Sequence, residues 1–316
     1  MNIPASAKFA AIQEMTQRDG SMLNISCLCA AAGVSRSGYY HYLKTESLRQ
    51  KREEQDREDF LLIVEAYNFR GYKKGARSIY MRLLHMTPPV HMNIKKIRRL
   101  MRKYGLFCPI RKANPYRRMA KALKTSNYAP NLLNREFETH GPRAVLLTDI
   151  TYIINGKAPR CYMSTIIDAC TKELLAWALS ESLEIDFVLE TVNQLIGAHG
   201  ISLSAETLIH SDQGAHYTSI QFIQLAEDSE LRRSMSRKAN CWDNAPQESF
   251  FGHMKDEIDI EGCRAFDEIY QVVSDWADYY NNERYQWDLA RLSPKEYHEY
   301  LITGEYPLTI PKSKGR

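Results

Sequence analysis

The chain has 316 residues, 25% of them charged and 44% hydrophobic, with a net charge of +4. That length exceeds one small core and points to two or three domains. No apolar run approaches the roughly 18 residues of a membrane span, so no membrane partner is expected. The N-terminus lacks a charged-then-apolar leader. Seven cysteines without a CxxC pair argue against a zinc-finger or disulfide framework, and a reduced, cytoplasmic setting is expected.

The small net charge conceals a split. Residues 1–143 carry 27 Lys and Arg against 11 Asp and Glu, a net +16, and the remainder carries −12. Between Glu65 and Glu136 lie 18 basic residues and no acid. A charge run is either a solvated face or a field kept for phosphate, and an uninterrupted run of this size favours the second.

In chain order, LNISCLCAAAGVSRSGYYHYLK at 23–44 has a helix-turn-helix outline. ISCLCAAA forms the first helix, Gly33 the turn, and Ser35 caps the second. Any compact helix pair would read similarly. ESLRQKREEQDREDFLLIVE at 46–65 predicts an exposed connecting helix. A helix from about Ala76 follows, broken at HMTPPVHMN. Asn93 then caps IKKIRRLMRKYGL, where Ile94, Ile97, Leu100, Met101 and Tyr104 form an apolar stripe. Lys95, Lys96, Arg98, Arg99, Arg102 and Lys103 cover its other faces, and Gly105 ends it. This is a second helix-turn-helix candidate with a DNA-binding face. RKANPYRRMAKALKTSNYAPN then reads as a basic, extended linker able to follow a DNA groove.

After Arg143 the pattern turns to strands. AVLLTDITYII, CYMSTIIDAC and LLAWAL predict a three-strand meander. DFVLETVNQLIGAHG is an amphipathic helix ended by Gly200. TLIHSDQG is a strand running into a loop, SIQFIQLAEDS a helix and LRRSMS a short strand. Two helices follow, one in NAPQESFFGHMK and a long one in FDEIYQVVSDWADYYNNERY. Three strands followed by alternating helices and strands predict a mixed α/β sheet with helices on both faces.

Three acids stand out. Asp149 is central in an apolar strand, a costly place for a charge unless it is paired or binds a metal; the alternative is an Asp on a solvent face. Asp212 ends the fourth strand, where α/β sheets place ligands, or it is an ordinary cap. Glu248 and Lys255, two helical turns apart, share one face of their helix, whereas Phe250, Phe251 and Met254 lie off that line and can bury. If the first and fourth strands are neighbours, Asp149 and Asp212 converge and a docked helix adds Glu248. Three such carboxylates repel unless cations neutralise them, and hard oxygen ligands suit Mg²⁺ or Mn²⁺, two ions per site. His210 and His216 flank the second acid as structural groups or DNA contacts. Asp243 and Asn244 either cap the third acid's helix or lie close to DNA.

With 35 residues between Asp212 and Glu248, and with TDITYI, HSDQGAHYTS and SMSRKANCWDNAPQESFFGHMK in order, the chain resembles the integrase-type DDE transposases. It looks most like the OrfB-type catalytic subunit of bacterial insertion sequences, within the RNase H-like retroviral integrase superfamily. GVSRSGYY, YYNNERY and LSPKEY also match, so the resemblance spans about residues 26–300. Leu147 stands where the family often has Trp.

The resemblance implies an RNase H-like mixed sheet preceded by all-α helix-turn-helix modules. The expected domains are 1–60, a helical segment with a charged linker helix; 61–125, a basic DNA-binding module; 126–140, a linker; 141–300, the catalytic domain; and 301–316, a tail. It implies a polynucleotidyl transferase that nicks transposon ends and joins the freed 3′ hydroxyl to another phosphodiester. Asp149, Asp212 and Glu248 would be the catalytic and metal-holding acids. Lys255, with Asn244 and the cations of the basic helix, would contact DNA; the other reading of Lys255 is a surface pair with Asp256 or Glu257. Implied partners are terminal inverted repeats, target DNA, an upstream OrfA-type protein and further copies of the chain, acting in the bacterial cytoplasm at the nucleoid. The rival readings are an RNase H-like nuclease that cuts without joining and a catalytically silent DNA-binding repressor.

Overall fold

A computed structural model describes residues 3–17, 24–109, 140–154, 159–204, 206–236 and 245–309. The chain forms two compact units, Met1–Leu62 and Ile63–Arg316. The linker read at 111–131, and Asp243 and Asn244, lie outside the described residues.

The first unit is built on three short helices, α1 (Ala5–Gln17), α2 (Ile25–Ala32) and α3 (Arg36–Lys44), and takes in the start of α4 (Glu46–Asn68). Asn24 caps α2 by accepting from the Ser26 amide, and Ser35 caps α3 by accepting from Gly38. Between them Gly33 adopts φ 64°, a left-handed turn that costs glycine nothing. Ile12, Cys29 and Tyr39 form the small core. The sequence reading had no place for α1, which supplies Ile12 and packs Phe9 against Tyr39 and Tyr42.

In the second unit, α5 (Ala76–Leu84) and α6 (Ile94–Lys103) are joined by residues 85–93, longer than the tight turn expected of a helix-turn-helix. The α6 stripe buries Ile97, Leu100 and Met101, and Asn93 caps the helix through the Lys95 amide. Arg98, Arg99 and Arg102 are exposed.

The five strands are β1 (Val145–Ile153), β2 (Cys161–Asp168), β3 (Leu174–Ser180), β4 (Leu208–Ser211) and β5 (Arg232–Met235), in the sheet order β3-β2-β1-β4-β5. The first three are antiparallel, and β4 and β5 run parallel to β1. This is the mixed sheet that the apolar runs predict. Each strand side is covered because strand side chains alternate. Leu146, Ile166 and Ile209 face α7 (Asp186–His199) and α8 (Ile220–Asp228). Val145, Leu147 and Met163 face α9 (Ala245–Glu257) and α10 (Phe266–Asn282). A last helix, α11 (Pro294–Thr303), starts in a capping box formed by Ser293 and Glu296.

Gly200 ends α7 as expected. It keeps right-handed angles, φ −51° and ψ −37°, and the chain tightens into a 3-10 turn over Gly200–Ser202. Below the start of β1, Asp168 accepts from the Arg143 amide at 2.9 Å and from Cys170 at 2.8 Å, while the Arg143 guanidinium pairs with Glu173 at 2.8 Å. This buried ionic knot pins the β2–β3 turn at the end of the sheet opposite the acids.

Candidate active site

The parallel pairing of β1 with β4 carries the site. Leu147 is in register with His210, so two residues further along Asp149 comes abreast of Asp212. Neighbouring strands lie about 4.8 Å apart, which puts the two Asp residues on adjacent chain segments at the carboxyl end of β4. Asp149 projects to the side of Val145 and Leu147, the side on which α9 docks. Phe250, Phe251 and Met254 are buried there, at 2%, 7% and 0% exposure, as the helix pattern predicts. Glu248 occupies the first turn of α9 and Lys255 the last.

Burial pushes the Asp149 carboxyl up to about 7, the neighbouring Asp212 carboxylate adds to the rise, and Glu248 adds further; the Ile150 amide and Lys255 act the other way. The Ile150 N–H donates to Asp149 Oδ1 at 2.8 Å. Burial lowers the Lys255 ammonium, and Asp149 partly offsets this. The four predicted groups therefore sense one another. The acids are nevertheless not closed into a cluster: among the described residues, no three His, Cys, Asp or Glu side chains stand together as a metal site. Their oxygen donors and mutual repulsion suit a hard divalent cation. Lys255 is not held by Glu257, which instead pairs with Arg284 at 2.8 Å.

Asp212 is exposed and accepts from the Gly214 amide at 2.8 Å. The glycine is required there by close approach, because a Cβ at 214 would come 2.9 Å from Asp212 Oδ1. Gly214→Ala is expected to cut DNA cleavage about tenfold by turning that carboxylate away, with Tm changed by no more than about 2 °C. Cleavage assays beside thermal melts would check this.

Both flanking histidines hydrogen-bond within the fold. His210 is fully buried, with Nδ1 3.0 Å from Ser234 Oγ and Nε2 2.9 Å from Ser236 Oγ, joining β4 to β5. His216 Nε2 lies 2.7 Å from the Leu183 carbonyl. Three residues near the site escaped the sequence reading. Tyr217 is buried behind the acids with its hydroxyl 3.4 Å from Thr148 Oγ1, and burial with the nearby Asp149 and Asp212 raises that phenol. Gln247 and Thr165 are wholly buried between α9 and β2. A polar residue heading the stripe Gln247, Phe250, Phe251, Met254 was the available signal.

The basic helix α6 presents Lys95, Arg98, Arg99, Arg102 and Lys103 as exposed cations and Lys96 as half-buried, with Lys103 Nζ 5.2 Å from the Tyr104 ring centre. No described helix is long and apolar enough to cross a membrane.

Comparison with known proteins agrees with this architecture. Integrase core domain families match residues 139–241 and 229–294, and an HTH-like domain family matches 54–114. InsK of insertion sequence element IS150 from Escherichia coli is 30% identical over 272 residues, covering 85% of this chain and 92% of its own. The transposase of insertion sequence element IS904 from Lactococcus lactis is 30% identical over 225 residues, covering 69% and 85%. The magnesium complex of the HTLV-2 integrase catalytic core covers 50% of this chain and 97% of its own at 12% identity, with a TM-score of 0.38, too low to add to the sheet order as an argument. Identity sustained across nearly the whole of InsK, on a mixed sheet with an integrase core match and an HTH-like module before it, makes this chain a member of the insertion-sequence transposases built on an integrase core domain.

Proposed function

We propose that this transposase cleaves the 3′ ends of its element and transfers them to new DNA, using Asp149, Asp212 and Glu248 as its catalytic acids. The observation that carries this reading is the meeting of β1, β4 and α9, which brings Asp149 within range of the charges of both Asp212 and Glu248. A site that gathers negative charge against its own repulsion is built for cations. The three carboxylates would hold two Mg²⁺ or Mn²⁺ ions, which when bound supply charge neutralisation and Lewis acidity for in-line displacement at phosphorus.

The chain's own groups divide the remaining work. The Ile150 and Gly214 amides fix the Asp149 and Asp212 carboxylates. Lys255, on the Glu248 face of α9, holds a phosphate of the DNA end, and Asn244 is a further DNA contact. In the first step water bonds to phosphorus and the P–O3′ bond breaks, leaving a 3′ hydroxyl. In the second that hydroxyl bonds to phosphorus of another phosphodiester and displaces its O3′. One site serves both, because each is the same displacement with a different nucleophile.

The cations of α6 bind the terminal repeats. The active complex is an oligomer that pairs two ends in the bacterial cytoplasm, with an upstream OrfA-type partner. Replacing Arg98, Arg99 and Arg102 with Ala should weaken DNA binding and reduce the slope of log K against log salt by roughly 1 to 3. An unchanged slope in a fluorescence titration would move the binding face elsewhere.

The decisive experiment compares the wild-type chain with Glu248→Gln on a plasmid carrying the repeats that flank the gene, with and without the upstream frame. Joined ends from the wild type alone are expected. Cut but never joined ends would indicate a nuclease, and no product from either chain a silent DNA-binding protein.

A further inference from the structure

We infer that Gln247 is a positioning residue that sets Glu248 against Asp149, by tying the first turn of α9 to the strand paired with Asp149. The inference rests on the reading of Glu248 as a site acid. Gln247 is completely buried. Its Nε2 donates to Thr165 Oγ1 and lies 3.5 Å from the Thr165 carbonyl. Thr165, also completely buried, stands opposite Asp149 in the antiparallel register of β1 and β2. The Thr165 hydroxyl passes its own proton on toward the Asp149 carbonyl oxygen at 3.5 Å. A directed chain of donors thus runs from the residue before Glu248 to the backbone of Asp149.

Packing alone does not account for this glutamine. It heads a stripe whose other members are Phe250, Phe251 and Met254, all buried, and Leu or Met would fill similar space. The amide is instead buried with its Oε1 unpartnered, an arrangement that costs stability. What the polar group adds is direction. An apolar stripe lets a helix slide or roll on a sheet, whereas a hydrogen bond to one hydroxyl fixes its register. Glu248 is the next residue, about 100° round the helix, so any slip of the first turn displaces its carboxylate equally. A metal-holding acid must keep its place to about 0.5 Å.

The test uses the full chain with Gln247→Leu and Thr165→Val, singly and combined, beside Glu248→Gln. Thermal melts in EDTA, Mn²⁺ affinity by calorimetry, and cleavage of a duplex bearing the element's end against Mn²⁺ concentration are the readouts. Gln247→Leu is expected to melt at or above the wild-type temperature, yet bind Mn²⁺ about tenfold more weakly and require correspondingly more Mn²⁺ for cleavage. Thr165→Val should do the same, and the double variant should be no worse than the stronger single one, since both cut one chain. Wild-type Mn²⁺ affinity in Gln247→Leu, or a loss that follows a fall in melting temperature, would overturn the positioning role. Normal cleavage by Glu248→Gln would instead overturn the assignment of Glu248, whatever Gln247 does.

Discussion

Asp149→Asn is expected to make the metal-free protein more stable while removing its chemistry. The folded-state carboxyl titrates at about 7 against an ordinary 3.8, because burial and then Asp212 oppose its charge. With the folded value raised, Asp149 sits in the fold without penalty below pH 3.8, and stability is progressively lost as pH rises towards 7. Above that the folded state carries the full cost of the charge, on the order of 2 kcal/mol after allowing for solvent at a half-buried group. Asparagine keeps the shape and removes the charge. At pH 8 in EDTA its melting temperature should therefore exceed the wild type by roughly 4–8 °C. The advantage should shrink as pH falls and be gone below about pH 4. Saturating Mg²⁺ should reverse the order, because the wild type alone gains from the cation. Cleavage and joining by Asp149→Asn should fall at least about 10³-fold, the scale set by several kcal/mol of lost metal assistance. DNA binding, assigned in the proposal to α6 and Lys255, should change little. A variant that melts like the wild type at both pH values would show that Asp149 is not crowded by charge, and one that transposes would remove it from the site.

The sequence was most informative where one strand or one helix face decides the outcome. Apolar runs gave β1, β2 and β3, since a run such as VLLTDITYI has few other ways to bury itself, while β4 and β5 were read from the short stretches TLIHSDQG and LRRSMS. Asp149 was conspicuous because it interrupts that run, and the Glu248–Lys255 face because seven residues make two turns. Partnerships between distant elements were hidden. Nothing in Gln247 names Thr165, 82 positions away, because that pairing depends on how α9 lies across β2. The stretch YYNNERY matched the family without revealing a role. In the fold it is a brace. Asn281 serves the Leu174 backbone as a strand mate would, accepting its N–H at 2.9 Å and donating to its carbonyl at 2.8 Å. Glu283 pairs with Arg70 at 2.6 Å, and Tyr285 stacks on His85.

The second large effect is expected from Arg284→Met, within that same stretch. Arg284 Nε and Nη2 hold Glu257 at 3.0 and 2.8 Å, and Trp276 Nε1 donates to the same carboxylate at 3.0 Å. Glu257 is only 8% exposed, so without the guanidinium its charge stays buried with a single neutral donor and with Lys74 near by. Breaking one side of a buried pair costs about 3–5 kcal/mol, here a fall of roughly 6–20 °C in melting temperature. Arg284→Met with Glu257→Gln should recover more than half of that loss, because the neutral amide no longer needs a counter-charge and still accepts from Trp276. Activity should not recover in parallel. Glu257 ends α9, two residues beyond Lys255, so the bidentate pair anchors one end of the helix whose other end carries Glu248. If the double variant regains stability but cleaves more slowly than the wild type at saturating Mn²⁺, the ion pair serves to aim that helix. If stability and cleavage return together, its contribution is confined to the fold.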